Sequence, residues 1–125
     1  MKVVNDLLGY DGLKIVQNTE YFSFSLDSVL LANFVTIDKK TKNVLDIGTG
    51  NAPIPMILST KGIKKIFGFE IQPEIFEMAQ ESLKINSLSE KIQIFNDDIK
   101  NISKYFEPEF FDLIVTNPPY FKIHE

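Results

Sequence analysis

The sequence predicts an α/β fold, a parallel sheet with flanking helices, built over residues 43–125 and preceded by an N-terminal helical and loop region over residues 1–42. Three observations predict it. From Asn43 onward, short apolar runs alternate with segments of helical periodicity in the order strand, helix, strand, helix, strand, helix, strand. That order calls for parallel pairing with right-handed crossovers. The 125 residues, 44% hydrophobic and with eleven phenylalanines, suffice for one compact core. Finally, the chemically distinctive polar clusters fall at the carboxyl ends of the predicted strands, where an open parallel sheet binds its ligands.

In chain order, the first 20 residues carry Gly9, Gly12 and several polar side chains, and predict a loop or short irregular strands. Ser25 then reads as a helix N-cap, with Asp27 in the first turn and Leu26, Val29, Leu30 and Phe34 at helical spacing. Val44-Leu45-Asp46-Ile47 is a short apolar strand that ends in Gly48-Thr49-Gly50. Pro53 to Ser59 forms a helix, because Pro53 and Pro55 are tolerated only in a first turn. Residues 65–69 make the second strand, ending at Glu70. Pro73 opens a second helix with the apolar stripe Ile75, Met78, Ala79 and Leu83, and Asn86 is its expected stop. Residues 92–95 form the third strand, running into Asn96-Asp97-Asp98; residues 99–105 are a short helical piece; residues 111–116 form the fourth strand, running into Asn117-Pro118-Pro119-Tyr120. The fourth strand is expected to lack a cover on one side, so the sheet reads as truncated after it and self-association would complete it.

Composition narrows the function. With no cysteine, disulfides and thiolate metal sites are ruled out, and a cytoplasmic location is expected. No apolar run reaches the roughly 20 residues of a membrane span. Met1 to Tyr10, with Asn5, Asp6 and Gly9, does not read as a signal peptide. The net charge of −4 argues against a large phosphate-binding surface within this segment, although a basic surface could be supplied elsewhere. Lys39, Lys40 and Lys42, and again Lys61, Lys64 and Lys65, read as solvated turn charges. His124 is the one histidine, so neither a metal site nor a Ser-His-acid triad has its usual members.

The clusters themselves suggest chemistry. Gly48 and Gly50 allow a tight strand-to-helix turn and close approach of a ligand. A dinucleotide enzyme uses the same device, but Pro53 stands where a third glycine would fall, and Pro53 and Pro55 remove N–H donors that a pyrophosphate needs. A dinucleotide oxidoreductase is therefore disfavoured. Asp46 can accept a hydrogen bond from an ammonium or orient the turn. Glu70, 24 residues after Asp46, is placed to accept from two ribose hydroxyls, and Ile71 directly after it belongs to the same binding set. Of Asp97 and Asp98, Asp98 is the expected acceptor for an amino group on a ligand base. Asn117-Pro118-Pro119-Tyr120 is the most specific feature. Its two prolines hold an extended backbone, so the Asn117 side-chain oxygen and the Pro118 carbonyl can both accept from one planar amino group. Such acceptors favour the electron-richer nitrogen of a transition state, and Tyr120 offers a face for stacking.

With these clusters in place, the chain resembles the class I, Rossmann-like methyltransferases through Val44-Leu45-Asp46-Ile47-Gly48-Thr49-Gly50, Glu70, Asp98 and Asn117-Pro118-Pro119-Tyr120. Within that group it is most similar to the bacterial valine-tRNA adenine N6-methyltransferase family, through residues 21–32 and through Asn117-Pro118-Pro119-Tyr120-Phe121. The resemblance implies an S-adenosyl-L-methionine cofactor bound by Asp46, Gly48, Gly50, Glu70, Ile71 and Asp98. It also implies catalytic roles for Asn117, Pro118 and Tyr120 on an adenine amino group of tRNA, with no metal and no membrane. Family members continue through three further strands. Two alternatives stay open: methylation of a protein glutamine, for which the same tetrapeptide is used, and a non-catalytic S-adenosyl-L-methionine-binding module.

Overall fold

The computed structural model describes residues 2–7, 12–18, 31–33, 35 and 37–116. It contains a two-stranded hairpin and a four-stranded sheet. The hairpin pairs β1 (Lys2–Asp6) with β2 (Lys14–Asn18) antiparallel, Val4 opposite Val16. This is more regular than the loop or irregular strands expected. The reason lies in what the strand covers: Leu7 and Ile15 join the main core, while Val16 packs with Ile75 and Met78. Of the N-terminal helix expected after Ser25, only residues 31–33 are described, and they are helical. Ser25 to Leu30 and Phe34 lie outside the described residues.

The sheet consists of β3 (Asn43–Ile47), β4 (Lys65–Phe69), β5 (Ile92–Phe95) and β6 (Leu113–Thr116), in the spatial order β5-β4-β3-β6. All three pairings are parallel. β4 and β5 match the predicted spans, and β3 starts one residue earlier than predicted, at Asn43. β6 starts two residues late because Asp112 is used to pin its entry. The Asp112 Oδ2 accepts the N–H groups of Lys42 and Asn43, both at 2.9 Å, and the Asp112 N–H donates to the Asn43 carbonyl at 2.9 Å. The Phe110 and Phe111 rings are taken up by an aromatic cluster instead.

Between β3 and β4 runs helix α1 (Pro53–Ser59), in which residues 53–58 are all buried. A helix apolar all round must lie inside, and its two early prolines leave fewer orphan donors to satisfy there. Helix α2 (Pro73–Ile85) follows β4 and buries its predicted stripe, Ile75, Met78, Ala79 and Leu83, together with Ser82. Glu74 in its first turn and Lys84 in its last both complement the helix dipole. A 3₁₀ turn, η1 (Ile99–Lys104), joins β5 to β6. Val44, Ile66, Ile92, Ile94 and Val115 share one core with α1 and α2. The alternate strand residues Phe67, Phe69 and Phe95 instead meet Tyr105, Phe106, Phe110 and Phe111, with ring centroids 4.4 to 5.9 Å apart. One face of the sheet is thus covered by helices and the other, in part, by aromatic rings.

Candidate functional site

The order β5-β4-β3-β6 reverses direction at β3, and an open parallel sheet binds its ligand beside such a switch, at the carboxyl ends of the strands. That rim carries the predicted residues. A cleft of about 160 Å³ opens there, lined by Ile47, Gly48, Phe69, Glu70, Ile71, Asp97, Asp98 and Ile99.

The turn after β3 has an unusual backbone. Gly48 (φ 68°), Gly50 (φ 60°) and Ala52 (φ 72°) all adopt left-handed conformations. Glycine enters that region freely, whereas alanine is strained there. Three bonds hold the turn: the Thr49 N–H donates to the Phe69 carbonyl (3.0 Å), the Ala52 N–H to the Thr49 carbonyl (3.0 Å), and the Gly50 N–H to Glu70 Oε1 (2.9 Å). Glu70 is buried at the end of β4, and its other oxygen accepts the Gln72 N–H at 2.9 Å. A carboxylate has about four acceptor positions, so each oxygen keeps one for a ligand. Ile71 beside it is 60% exposed on the cleft wall.

Asp46 does not line this cleft. It is buried behind the turn, where its Oδ2 accepts the Thr49 hydroxyl at 2.6 Å. Its Oδ1 is buried with no hydrogen-bond partner among the described residues. Burial, and secondarily the nearby Glu70, push its pKa from the ordinary 3.8 up to about 7, against the opposing bond from Thr49. Of the two roles open to Asp46, this geometry displays the turn-orienting one.

Asp97 and Asp98 divide their work. Asp97 is occupied by its own loop: Oδ1 accepts the Asp98 N–H and the Asn101 amide (2.7 Å each), and Oδ2 accepts the Tyr105 hydroxyl at 2.6 Å. Those bonds, Tyr105 foremost, lower its pKa. Asp98 caps η1 by accepting the Lys100 N–H at 3.0 Å, has the Lys100 ammonium 4.0 Å from its other oxygen, and lines the cleft. Asn96 secures the neighbouring turn by donating to the Glu70 and Ile71 carbonyls at 2.9 and 3.2 Å. Asn117, Pro118 and Tyr120 lie outside the described residues. The strand leading to them ends at the same rim, Thr116 opposite Ile47.

Sequence reasoning missed Thr49, Asn51, Asn96 and Tyr105. The three polar residues adjoin residues that it singled out, which is the signal that could have found them. Tyr105 gives no local signal, because it reaches Asp97 only when η1 folds back. Among the described residues, no group of three or more His, Cys, Asp or Glu is placed to hold a metal ion.

The reversal at β3, the glycine turn and the acids at the strand ends define the class of open α/β domains that bind a ligand at the carboxyl rim of a parallel sheet. Within that class the chain belongs to the methyltransferase small domain family, which it matches over residues 14–125. A protein of Methanocaldococcus jannaschii, designated a candidate protein N5-glutamine methyltransferase, is 33% identical over 120 residues, which is 95% of this chain and 57% of the relative. The tRNA1(Val) (adenine(37)-N6)-methyltransferase of Proteus mirabilis is 37% identical over 98 residues, 77% of this chain and 38% of the relative. The chain therefore spans less than two thirds of either relative. Among solved structures, a Pyrococcus abyssi tRNA (uracil-54, C5)-methyltransferase in complex with S-adenosyl-L-homocysteine superposes with a TM-score of 0.68 at 16% identity, covering 94% of this chain and 28% of that one. P. horikoshii TYW2 in complex with MeSAdo gives a TM-score of 0.68 at 20% identity, over 90% and 41% of the two chains. At such identities the likeness shows the fold: a Rossmann-like α/β sheet.

Proposed function

We propose that this chain is the cofactor-binding part of an S-adenosyl-L-methionine-dependent methyltransferase acting on N6 of adenine in tRNA. The observation that carries this reading is the convergence of Glu70, Asp98 and the glycine turn on one cleft, beside the strand that runs into Asn117. The cleft lining fits the cofactor. It combines carboxylates with the apolar Ile47, Phe69, Ile71 and Ile99, and among the described residues no cationic side chain lines it. Such a wall suits a ribose diol, an amino-bearing base and a cation, and opposes a pyrophosphate. Glu70 would hold the ribose and Asp98 the base, with Ile71 against the base's face; Gly48 and Gly50 would admit the ligand, and Asp46 would steady the turn. Bound there, S-adenosyl-L-methionine supplies an electrophilic methyl group on a sulfonium.

On the acceptor side, the Asn117 side-chain oxygen and the Pro118 carbonyl accept from the amino hydrogens, and Tyr120 stacks on the adenine. An exocyclic amine is a poor nucleophile because its lone pair is delocalised into the ring. Acceptors on its hydrogens raise electron density on nitrogen most in the transition state, which is the differential stabilisation catalysis needs. A base in a single-stranded loop reaches such a site at low unstacking cost. In this reading residues 1–42 are an N-terminal region and residues 43–125 the core, and the work is done in the cytoplasm. No helix of the described residues is long and apolar enough to cross a membrane.

The test is methyl transfer from labelled cofactor to tRNA, with the chain and its Asn117→Ala variant. Transfer to adenine that falls by about a hundredfold or more in the variant is expected; equal turnover would refute the role of Asn117. A second reading, methylation of a protein glutamine, is favoured by one observation: the M. jannaschii relative aligns over 95% of this chain. Transfer to protein and not to tRNA would select it.

A further inference from the structure

Among the described residues, the edge of β2 that faces away from β1 has no strand beside it, and side chains take the place of one. Asn86 on the α2 cap accepts the Lys14 N–H at 2.8 Å and donates to the Lys14 carbonyl at 2.6 Å. The Val16 N–H donates to Ser82 Oγ of α2 at 2.8 Å. The Val16 carbonyl accepts the Asn51 amide, also at 2.8 Å and buried, across 35 residues of sequence. Asn86 and Ser82 belong to the helix, whereas Asn51 belongs to the glycine turn. Among the described residues it makes the one hydrogen bond between that turn and the hairpin.

Asn51 is also the residue next to Gly50, whose N–H is held by Glu70. Asn51 is only 4% exposed, so close packing leaves its side chain little freedom to point elsewhere. A continuous path therefore runs from the cleft through Glu70, Gly50 and Asn51 to Val16.

We propose that Asn51 is a positioning residue that couples cofactor occupancy to the N-terminal hairpin. When Glu70 takes a ligand, the turn is held in one geometry, and the Asn51 amide then grips the Val16 carbonyl more firmly. The chain continuing from β2 into residues 21–32, one of the two stretches on which the family resemblance rests, starts from this clamped point. The inference rests on the proposed cofactor. Its physical content is a coupling free energy between two sites that share no ligand contact, which must be visible as altered local opening of β2.

The experiment uses S-adenosyl-L-homocysteine as the probe on the 125-residue chain, with binding followed by calorimetry and amide exchange of residues 14–18 by NMR. In the wild type, saturating probe slows exchange at these amides by about tenfold. Asn51→Leu has nearly the same shape but cannot donate, and Asn51→Ala removes the group altogether. Both variants should still bind the probe yet lose the slowing. Ser82→Ala is the control: it removes a bond to the hairpin that does not come from the turn. There exchange should be faster with and without probe, with the slowing retained. An undiminished slowing in both Asn51 variants, or its equal loss in Ser82→Ala, overturns the coupling. A wild-type chain that binds the probe without any slowing overturns it too. A wild-type chain that gives no binding heat instead overturns the cofactor reading itself, and the coupling with it.

Discussion

At the residue scale, Asp46 shows how a side chain whose position is plain in the sequence acquires properties that are not. Its place at the end of a strand, before a glycine turn, follows from the local pattern. The burial of Oδ1 without a partner among the described residues and the proximity of Glu70 follow from tertiary packing alone. The consequence is testable without any ligand. With a pKa near 7 in the folded state against an ordinary 3.8, Asp46 keeps a proton through a window in which the unfolded chain has released it. The folded state then binds more protons, so this group's contribution to stability falls as pH rises from about 4 to 7 and levels off above. A neutral amide in its place would not titrate. The stability of Asp46→Asn relative to wild type should therefore improve steadily across that window, as measured by urea denaturation at several pH values. A difference that stays constant with pH would show that Asp46 is ionised throughout.

At the element scale, most of what forms each segment is local. The stripe of α2, its start at Pro73 and its stop at Asn86 could be read from spacing because they depend on a helical period and on terminal chemistry. The manner of stopping could not. The Leu88 N–H reaches the Leu83 carbonyl at 2.8 Å and the Ser87 N–H the Lys84 carbonyl at 3.2 Å, with Ser87 at φ 57°. This is a Schellman closure with serine where glycine would be unstrained. Ser87→Gly should accordingly stabilise the chain by roughly 0.5–1 kcal/mol, seen as a higher thermal or urea midpoint. A lower midpoint would mean that lost side-chain contacts outweigh the relieved strain. The late start of β6 teaches the same lesson from the other side. Phe111 looks like a strand residue in sequence, but a neighbouring aromatic cluster and the Asp112 bonds to Asn43 claim that stretch.

At the scale of the whole molecule, the two faces of the sheet are unlike and the two ends are unlike. Lys39 and Lys61, from the two separate lysine groups of the sequence, line one groove near the amino ends of β3 and β4. Asp38 lines the same groove and Asp112 pins the entry of β6, whereas Asp46, Glu70, Asp97 and Asp98 gather at the carboxyl ends. Gly68 joins the helix-covered face to the site. A Cβ there would lie 2.8 Å from Ile94 Cδ1 and 3.0 Å from both Thr49 Cβ and Oγ1. The Ile94 methyl must shift and the Thr49 side chain must give by a few tenths of an ångström, and Thr49 is the residue that holds Asp46. Gly68→Ala should lower stability by about 1–3 kcal/mol. Because the displaced Thr49 would loosen its grip on Asp46, the pH dependence described for Asp46 should shift as well. Wild-type stability in this variant would mean that the sheet and the turn relax more freely than their packing implies.

By itself, the sequence determined the parallel α/β order from β3 to β6, the spans of those strands and of α1 and α2 to within two residues, and the strand ends at which a ligand site was expected. These are consequences of periodicity, glycine and proline backbone limits, and the chirality of crossovers, all of which act over short stretches of chain. Only the tertiary structure decided that Asp46 sits behind the cleft and Glu70 within it, that Asp97 braces Asp98, and that Asn51 ties the turn to a strand 35 residues away. Those outcomes depend on which buried donor finds which acceptor. That is settled by the packing of distant segments against one another, which no local pattern encodes.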